Sequence, residues 1–381
     1  MSTVTYRLEI DGQVASKELL DAVQSLEVEE HADLADMLRL RVNLSQRDDG
    51  GGWTVLDEGT FTRLANVKVA AAVNGGRPQP LIDAYVIDVR AALSHEPGAS
   101  RLDVVAMDGT ALMNLEEKVR AFPDQSDSSV ASTVFGEYGF TTDVDDTSTV
   151  RQEVEHTTMQ RGTDMQLLKQ LAQRNGYECY VEVTDSGDTA GHFHKPRLDE
   201  QPQGVLNVGM GPASNVDAFS ARNDMLAPTT ASVQGVETTS TETQPADSSS
   251  VEGTALGRAP TVGGDRPRKV LLSRTGLSDS GDLQTLAQAV VDRSSWSVTA
   301  EGRVNGAVYG GPIKAKRPIN VRGAGGELSG TYYVELVLHT FTTEGWIQSF
   351  RLRRNAAGLT KSESFKEDRA AAPQPAMRVG P

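Results

Sequence analysis

The chain has 381 residues, 38% hydrophobic and 23% charged, with 36 glycines and 16 prolines, a balance that suits a folded, turn-rich protein with room for two or more domains. A net charge of −15 argues against a general or sequence-specific nucleic-acid binder, which needs basic surface to neutralise phosphates, and a single cysteine, Cys179, excludes an intramolecular disulfide framework and a cysteine-cluster zinc site. No run approaches the roughly 18 apolar residues of a membrane span, and Arg7, Glu9 and Asp11 break the order of a signal peptide, so cytoplasmic synthesis with no membrane anchoring of its own is expected.

From Tyr6 to Val105 the text reads as strands. Leu38, Leu40, Val42 and Leu44 alternate with Arg39, Arg41 and Asn43, the period of a strand with one wet face. Val67, Val69 and Ala71 repeat it, and Asn74-Gly75-Gly76 supplies a turn. Residues 82 to 89 are apolar on both faces, which predicts a sandwiched strand, and Leu102, Val104 and Ala106 complete a small antiparallel barrel or sandwich. Beyond residue 109 the period changes. Val130, Ala131, Val134 and Tyr138 recur at helical spacing, with Asp127 as cap and Gly139 as stop. Thr163-Asp164-Met165-Gln166 has the capping-box form, Leu167, Leu168, Leu171 and Ala172 make one apolar stripe, and Asn175-Gly176 ends the helix before a strand through Tyr177, Cys179, Val181 and Val183.

Residues 237 to 265, rich in Thr, Ser, Gly and Pro, read as a long mobile loop. Asp282 is expected to cap a third helix, 282 to 295, whose Leu283, Leu286, Ala287, Val290 and Val291 form one face. Strands are then predicted at Val298 to Val308, Ile313 to Val321, Tyr332 to Thr342 and Trp346 to Arg353, and the tail from 356 to 381 is expected to be flexible. The predicted fold class is mainly β with α+β insertions: two tube-like antiparallel β-barrel domains, 1 to 108 and 205 to 355, around a smaller α+β middle domain, 109 to 204.

Two patterns point towards a mechanical role. Residues 67 to 106 and 319 to 352 echo each other: a strand, a Gly-Gly turn, a Tyr-Val strand (Tyr85-Val86, Tyr333-Val334) and a further strand. Three such chains in a closed ring would present six similar units and could join a three-fold body to a six-fold one. Charge is also uneven: residues 1 to 60 hold thirteen acidic against five basic residues, whereas 266 to 354 hold seven acidic against thirteen basic. Lys314, Lys316 and Arg317 are therefore candidates to meet Glu27, Glu29 and Glu30 across a subunit boundary, although such carboxylates at an alternating edge also serve as edge protection.

The stretch Arg161-Gly162-Thr163-Asp164 through Leu167, Leu168, Leu171, Ala172 and Asn175-Gly176-Tyr177 resembles the "TDxxFLxxLAxxxGxxxY" segment of phage late control D proteins and valine-glycine-repeat protein G hubs. In the same order, Val105 to Leu115 is similar to that family's strand into its second domain, Phe122 to Phe140 to its "TxSDIAxxIAxxxGL" helix, and Gly302 to Arg354, with Gly330, Tyr332, Val334, His339 and Phe350, to its closing region. The resemblance spans most of residues 1 to 355. It implies a structural baseplate hub: a homotrimer that seats the inner tube protein, carries a spike and contacts other baseplate proteins in a phage virion or contractile injection particle. Nothing after Arg354 resembles the fused spike, so a separate spike protein is implied.

Candidate chemistry is sparse. His192 and His194 share one face of a predicted strand, and Cys179 could join them on the paired strand as a zinc trio, but no metal or other cofactor is expected. His339 reads as a core or interface histidine. No Gly-x-Ser-x-Gly elbow, phosphate loop or zincin helix occurs, so no catalytic residue is assigned and a non-enzymatic protein is expected. The alternatives are a tail-associated cell-wall hydrolase, whose carboxylate pair would hide among 52 acidic residues, and a glycan-binding β-rich adhesin.

Overall fold

Alternation of apolar and polar residues builds the first β unit, from β1 (Val4–Ile10), β2 (Val23–His31), β3 (Met37–Asn43), β4 (Asn66–Val73), β5 (Gln79–Ala92) and β6 (Arg101–Met107). Leu38, Leu40 and Val42 of β3 are buried while Arg39 and Arg41 face water. The computed structural model describes residues 3–47, 51–147, 150–151, 157–236, 243–262, 266–273, 279–360, 363 and 365. Strand β5 departs from the sandwiched strand expected of it. Leu81 to Ala84 and Val86 are shielded, but Ile87 and Val89 are 45% and 39% exposed, so its second half is apolar without being covered.

The middle domain holds α1 (Asp127–Glu137), β7 (Thr141–Val144), α2 (Asp164–Asn175), β8 (Glu178–Val183) and β9 (Thr189–His194). β9 lies between β7, its parallel neighbour, and β8, its antiparallel one. In α2 the capping box forms through Thr163 and Gln166, and Gly176 ends the helix at φ 67°, which only glycine adopts without strain. Asp127 does not cap α1. Ser126, one residue earlier and extended, accepts from the Ser129 amide at 3.2 Å, leaving Asp127 in the first turn to accept from Arg174 Nε and Asn175 Nδ2, each at 2.6 Å. The helices pack on the sheet through Phe135, Leu168, Leu171, Cys179 and Phe193. Gly191 permits this approach, because a Cβ there would stand 2.3 Å from the Phe135 ring.

The second β unit and its annex follow as β10 (Val205–Asn207), β11 (Ala218–Asn223), β12 (Thr229–Val236), β13 (Thr243–Ser248), β14 (Arg268–Ser273), α3 (Ser280–Ser294), β15 (Val298–Asn305), β16 (Pro318–Arg322), β17 (Gly330–Thr342) and β18 (Gly345–Arg354). The expected loop at 237–265 is corrected. β13 pairs with β12, which also pairs with β14, and α3 closes over them through Leu283 and Ala287 against Val233 and Ala246; residues 237–242 and 263–265 lie outside the described residues. A polar strand with Ala246 and Ser248 buried can be held in this way, so composition concealed it. Helix α3 is capped by Asp279 rather than Asp282, which occupies the first turn. The strand expected to reach Val308 stops at Asn305, whose Oδ1 accepts from the amides of Ala307 and Val308 and starts a single helical turn. The expected tail is anchored at its start. Ala356–Ala357 pair with Ala259–Pro260, and buried Arg354 donates to the carbonyls of Leu256 and Gly358; residues 361, 362, 364 and 366–381 lie outside the described residues.

The protein is mainly β with α+β insertions, and its two β units share one 13-stranded sheet. In the first unit the spatial order is β2-β3-β6-β5-β4; in the second it is β11-β15-β18-β17-β16, the same plan in the same chain order. The echo in the sequence extends to details that function does not require. In β5, Tyr85 and Val86 face Met107 and Ala106, Ile87 is skipped, and Asp88 faces Val105. In β17, Tyr333 and Val334 face Arg353 and Leu352, Glu335 is skipped, and Leu336 faces Arg351. Leu64 and Lys316, at matching places before β4 and β16, both have positive φ (61° and 65°). Leu64 N donates to Val86 O and Val86 N to Ala65 O; Lys316 N donates to Val334 O and Val334 N to Arg317 O. Arg41-Val42-Asn43 in β3 recurs as Arg303-Val304-Asn305 in β15. Such coincidences at the level of register and backbone conformation mark two copies of one unit.

Candidate functional site: the charge junction between the units

The two units join where the second half of β17, Leu336 to Thr342, pairs with β2. This register carries Glu30 and His339 into the interior, because each lies on the face of its strand that packs inward. Glu30 Oε1 stands 3.1 Å from Lys314 Nζ and 3.4 Å from His339 Nε2, and Glu30 Oε2 accepts from the Ala315 amide at 3.1 Å. Burial opposes ionisation of Glu30, but Lys314 and then His339 outweigh it and hold its carboxyl down to about 2. Burial lowers the pKa of His339, which lies fully buried in the core, against the pull of Glu30.

One strand turn away, Lys316 reaches Asp36 with both carboxylate oxygens at 2.9 and 2.7 Å, and neither side chain is more than 5% exposed. Asp108 accepts the Asp36 amide at 2.7 Å. Burial, helped by the charges of Asp108 and Glu30, raises the Asp36 carboxyl against the pull of Lys316. For Lys316 burial works against the charge, and Asp36, Glu182 and Glu30 outweigh it, so its pKa is raised. The ammonium also sits 4.8 Å above the Tyr180 ring of β8, which ties the middle domain to the junction. A second tie runs through Arg353: it donates to Glu178 at 2.5 Å and to Asp33 at 3.1 Å, and lies over the rings of Trp296 and Tyr333.

These contacts correct the interface assignment. Lys314 and Glu30 do meet, but inside one chain; Lys316 is buried on Asp36, Arg317 stands 3.4 Å from Glu182, and Glu29 pairs with Arg39 of β3 at 2.9 Å. Glu27 is half-buried opposite Arg39 in the β2–β3 ladder. The sequence located the two groups of charges and their mutual attraction, and misplaced the boundary they span.

The proposed trio of Cys179, His192 and His194 is also corrected. Cys179 faces the core on the opposite side of the sheet, where burial pushes its thiol up to about 12. The third member is Asp143 of β7, directly beside His192 in the parallel ladder. Its Oδ2 is 3.2 Å from His192 Nδ1 and 3.5 Å from His194 Nε2, and Arg197 contacts its Oδ1 at 3.2 Å. Burial works against the Asp143 charge, but His194, His192 and Arg197 outweigh it and lower its pKa.

The fold is that of tail proteins of phages and related machines. The 43 kDa tail protein of prophage MuSo2 from Shewanella oneidensis superposes with a TM-score of 0.64 at 15% identity, covering 93% of this chain and 99% of that one. A tail protein from Neisseria meningitidis MC58 gives 0.65 at 10% identity, covering 92% and 97%. The E. coli c3393 protein, a component of the type VI secretion system with structural similarity to T4 tail proteins gp27 and gp5, gives 0.55 at 10% identity, covering 91% and 76%. No curated protein sequence matches the chain. At the level of sequence family the match covers residues 1–343: the chain belongs to the Alg8 N-terminal domain family.

Proposed function

We propose that the chain is a baseplate hub subunit of a contractile tail or injection machine: a structural, non-enzymatic homotrimer that matches a three-fold spike to a six-fold inner tube. One observation carries the reading. The duplicated unit makes one of its junctions within the chain and leaves the counterpart edges without a partner among the described residues. In the second unit, Leu336 to Thr342 of β17 is covered by β2. The matching half of β5, Asp88 to Ala92, has a ladder to β6 alone, and β11, the counterpart of β2, has a ladder to β15 alone. Pairing β5 of one chain with β11 of the next would repeat the internal junction, cover Ile87 and Val89, and close a ring of six similar units from three chains. The likeness in fold to tail proteins and to a secretion-system component supports the same assignment, and incorporation in a virion or injection particle with inner tube, spike and other baseplate proteins follows from it.

The repeated register names the contacts. His339 faces Val28 within the chain, so its counterpart Ala91 should face Ala221 of the next subunit. The variant carrying both Ala91→Cys and Ala221→Cys should oxidise to a covalent trimer, while each single variant stays uncross-linked. Sedimentation of the unmodified chain at rising concentration should show the same trimer. A strict monomer whose double variant also fails to cross-link would overturn the hub reading.

A further inference from the structure

We propose that Asp143 Oδ2, His192 Nδ1 and His194 Nε2 form a three-ligand site for a zinc-like divalent cation. The three donor atoms lie within 4.8 Å of one another, and the two distances to Asp143 Oδ2 are 3.2 and 3.5 Å. A tetrahedral zinc ion with ligands at about 2.0 to 2.1 Å sets its donors roughly 3.3 Å apart, so the two sides of the triangle that meet at Asp143 Oδ2 already have the right length. Strand geometry produces it: His192 and His194 point to one face of β9 two residues apart, and the parallel register sets Asp143 beside His192.

Proton counting around the two rings favours a cation. His194 Nδ1 lies 2.7 Å from the Lys195 carbonyl, which can only accept, so Nδ1 carries the proton and Nε2 turns a lone pair towards Asp143. His192 is 9% exposed and has a carboxylate at each end: Asp143 Oδ2 near Nδ1, and Glu182 Oε1 at 3.5 Å from Nε2, which has no hydrogen-bond partner. A neutral imidazole owns one N–H and leaves one end as lone pair against carboxylate, whereas a second proton would bury an imidazolium. A divalent cation between Asp143, His192 Nδ1 and His194 Nε2 resolves this, because the single N–H of His192 then turns to Glu182 and orients the ring as a second carboxylate does at many metal sites. Arg197, 3.2 Å from Asp143 Oδ1, leaves Oδ2 for the ion. The Tyr180 hydroxyl, 3.2 Å from His194 Nε2, stands beside the fourth position, and the half-exposed Asp143 side chain leaves a way in from solvent. Bound there, the ion would fix β7 to β9 next to the Tyr180 ring on which Lys316 rests, and so stiffen the middle domain against the junction.

The test uses the full chain, free of any histidine tag, stripped with chelator and titrated with Zn²⁺ by calorimetry and with Co²⁺ by visible absorption. One ion per chain and the absorption of four-coordinate Co²⁺ are expected. Asp143→Asn, which keeps the shape of a half-exposed residue, and His192→Gln should each weaken binding at least about a hundredfold, Glu182→Gln about tenfold, and Cys179→Ser should leave it unchanged. Circular dichroism checks that each variant is folded. No stoichiometric ion in the wild-type chain, or binding that survives unaltered in folded Asp143→Asn, would overturn the site: in the first case a proton fills the gap, in the second the ion sits elsewhere.

Discussion

The middle strands of the two β units, β5 and β17, carry the same bulge and the same Tyr-Val pair but meet opposite surroundings. β17 is flanked on both sides along its second half and lines the junction that buries Glu30 and His339 beside a half-buried Lys314. β5 has the same strand geometry with solvent on one side, and keeps apolar residues there. Duplication supplied two equivalent edges, one covered within the chain and one that the proposed ring would close. Charges at the internal junction therefore belong to the stability of the single chain, and the contacts that decide oligomerisation should lie on β5 and β11.

The largest expected effect comes from breaking the internal junction at Lys316. Lys316→Met leaves Asp36 beside Asp108 without its counter-charge, and removing one partner of a buried pair costs about 3 to 5 kcal/mol. Urea unfolding near neutral pH should show that loss, and adding Asp36→Asn should restore part of it. Equal stability of Lys316→Met and wild type would mean that the pair contributes nothing. For the same reason, reversing Lys314, Lys316 and Arg317 together to Glu tests folding rather than assembly.

A somewhat smaller effect is expected from acid. The Glu30 carboxyl, held at about 2 against an ordinary value of 4.5, binds its proton less readily in the folded chain. Its contribution is therefore fully present above pH 4.5 and is lost as pH falls towards 2, amounting to about 3 kcal/mol. Asp36, raised by burial, works in the opposite sense and gains as pH falls. Comparing wild type with Glu30→Gln isolates the first term: the stability difference between them should shrink steadily from pH 5 to pH 2. A difference independent of pH would show that Glu30 is not held ionised by Lys314.

Much of this was legible in sequence because it is local. Period-two alternation located β3 and β4, the capping box placed the start of α2, and Gly176 its end. The echo was visible in the Tyr-Val pairs. What was hidden depends on partners far along the chain: Lys316 sits in a run of cations that reads as wet surface, and its partner Asp36 is 280 residues away. Asp143 was missed as the companion of His192 because a parallel ladder joins strands 49 residues apart, whereas a hairpin offered Cys179 as the nearer candidate. The useful signal for the open edge was present but misread: Ile87 and Val89 make β5 apolar on both faces, and a sandwiched strand and an assembly edge share that pattern.

The comparison of the two units is sharpest at a single pair of valines. Val337 in β17 faces Phe350, Val89 in β5 faces Val104, and each is the second residue beyond the skipped position of its bulge. Val337 is fully buried, whereas Val89 is 39% exposed. Removing two methyl-sized groups from a closed site costs their transfer from water and the cavity left behind, so Val337→Ala should destabilise the chain by about 2 kcal/mol. Val89→Ala in the dissociated chain should change stability by no more than about 0.5 kcal/mol, since its neighbours on one side are water. The order should reverse for assembly. Val89→Glu places a charge on the edge that is to be covered, and should leave the unfolding midpoint of the dissociated chain in place while abolishing the trimer in sedimentation. If Val89→Glu trimerises as wild type does, β5 is not the closing edge. If Val89→Ala instead costs as much stability as Val337→Ala in the dissociated chain, the two halves are equally covered within one subunit, and the account of one closed and one open junction fails.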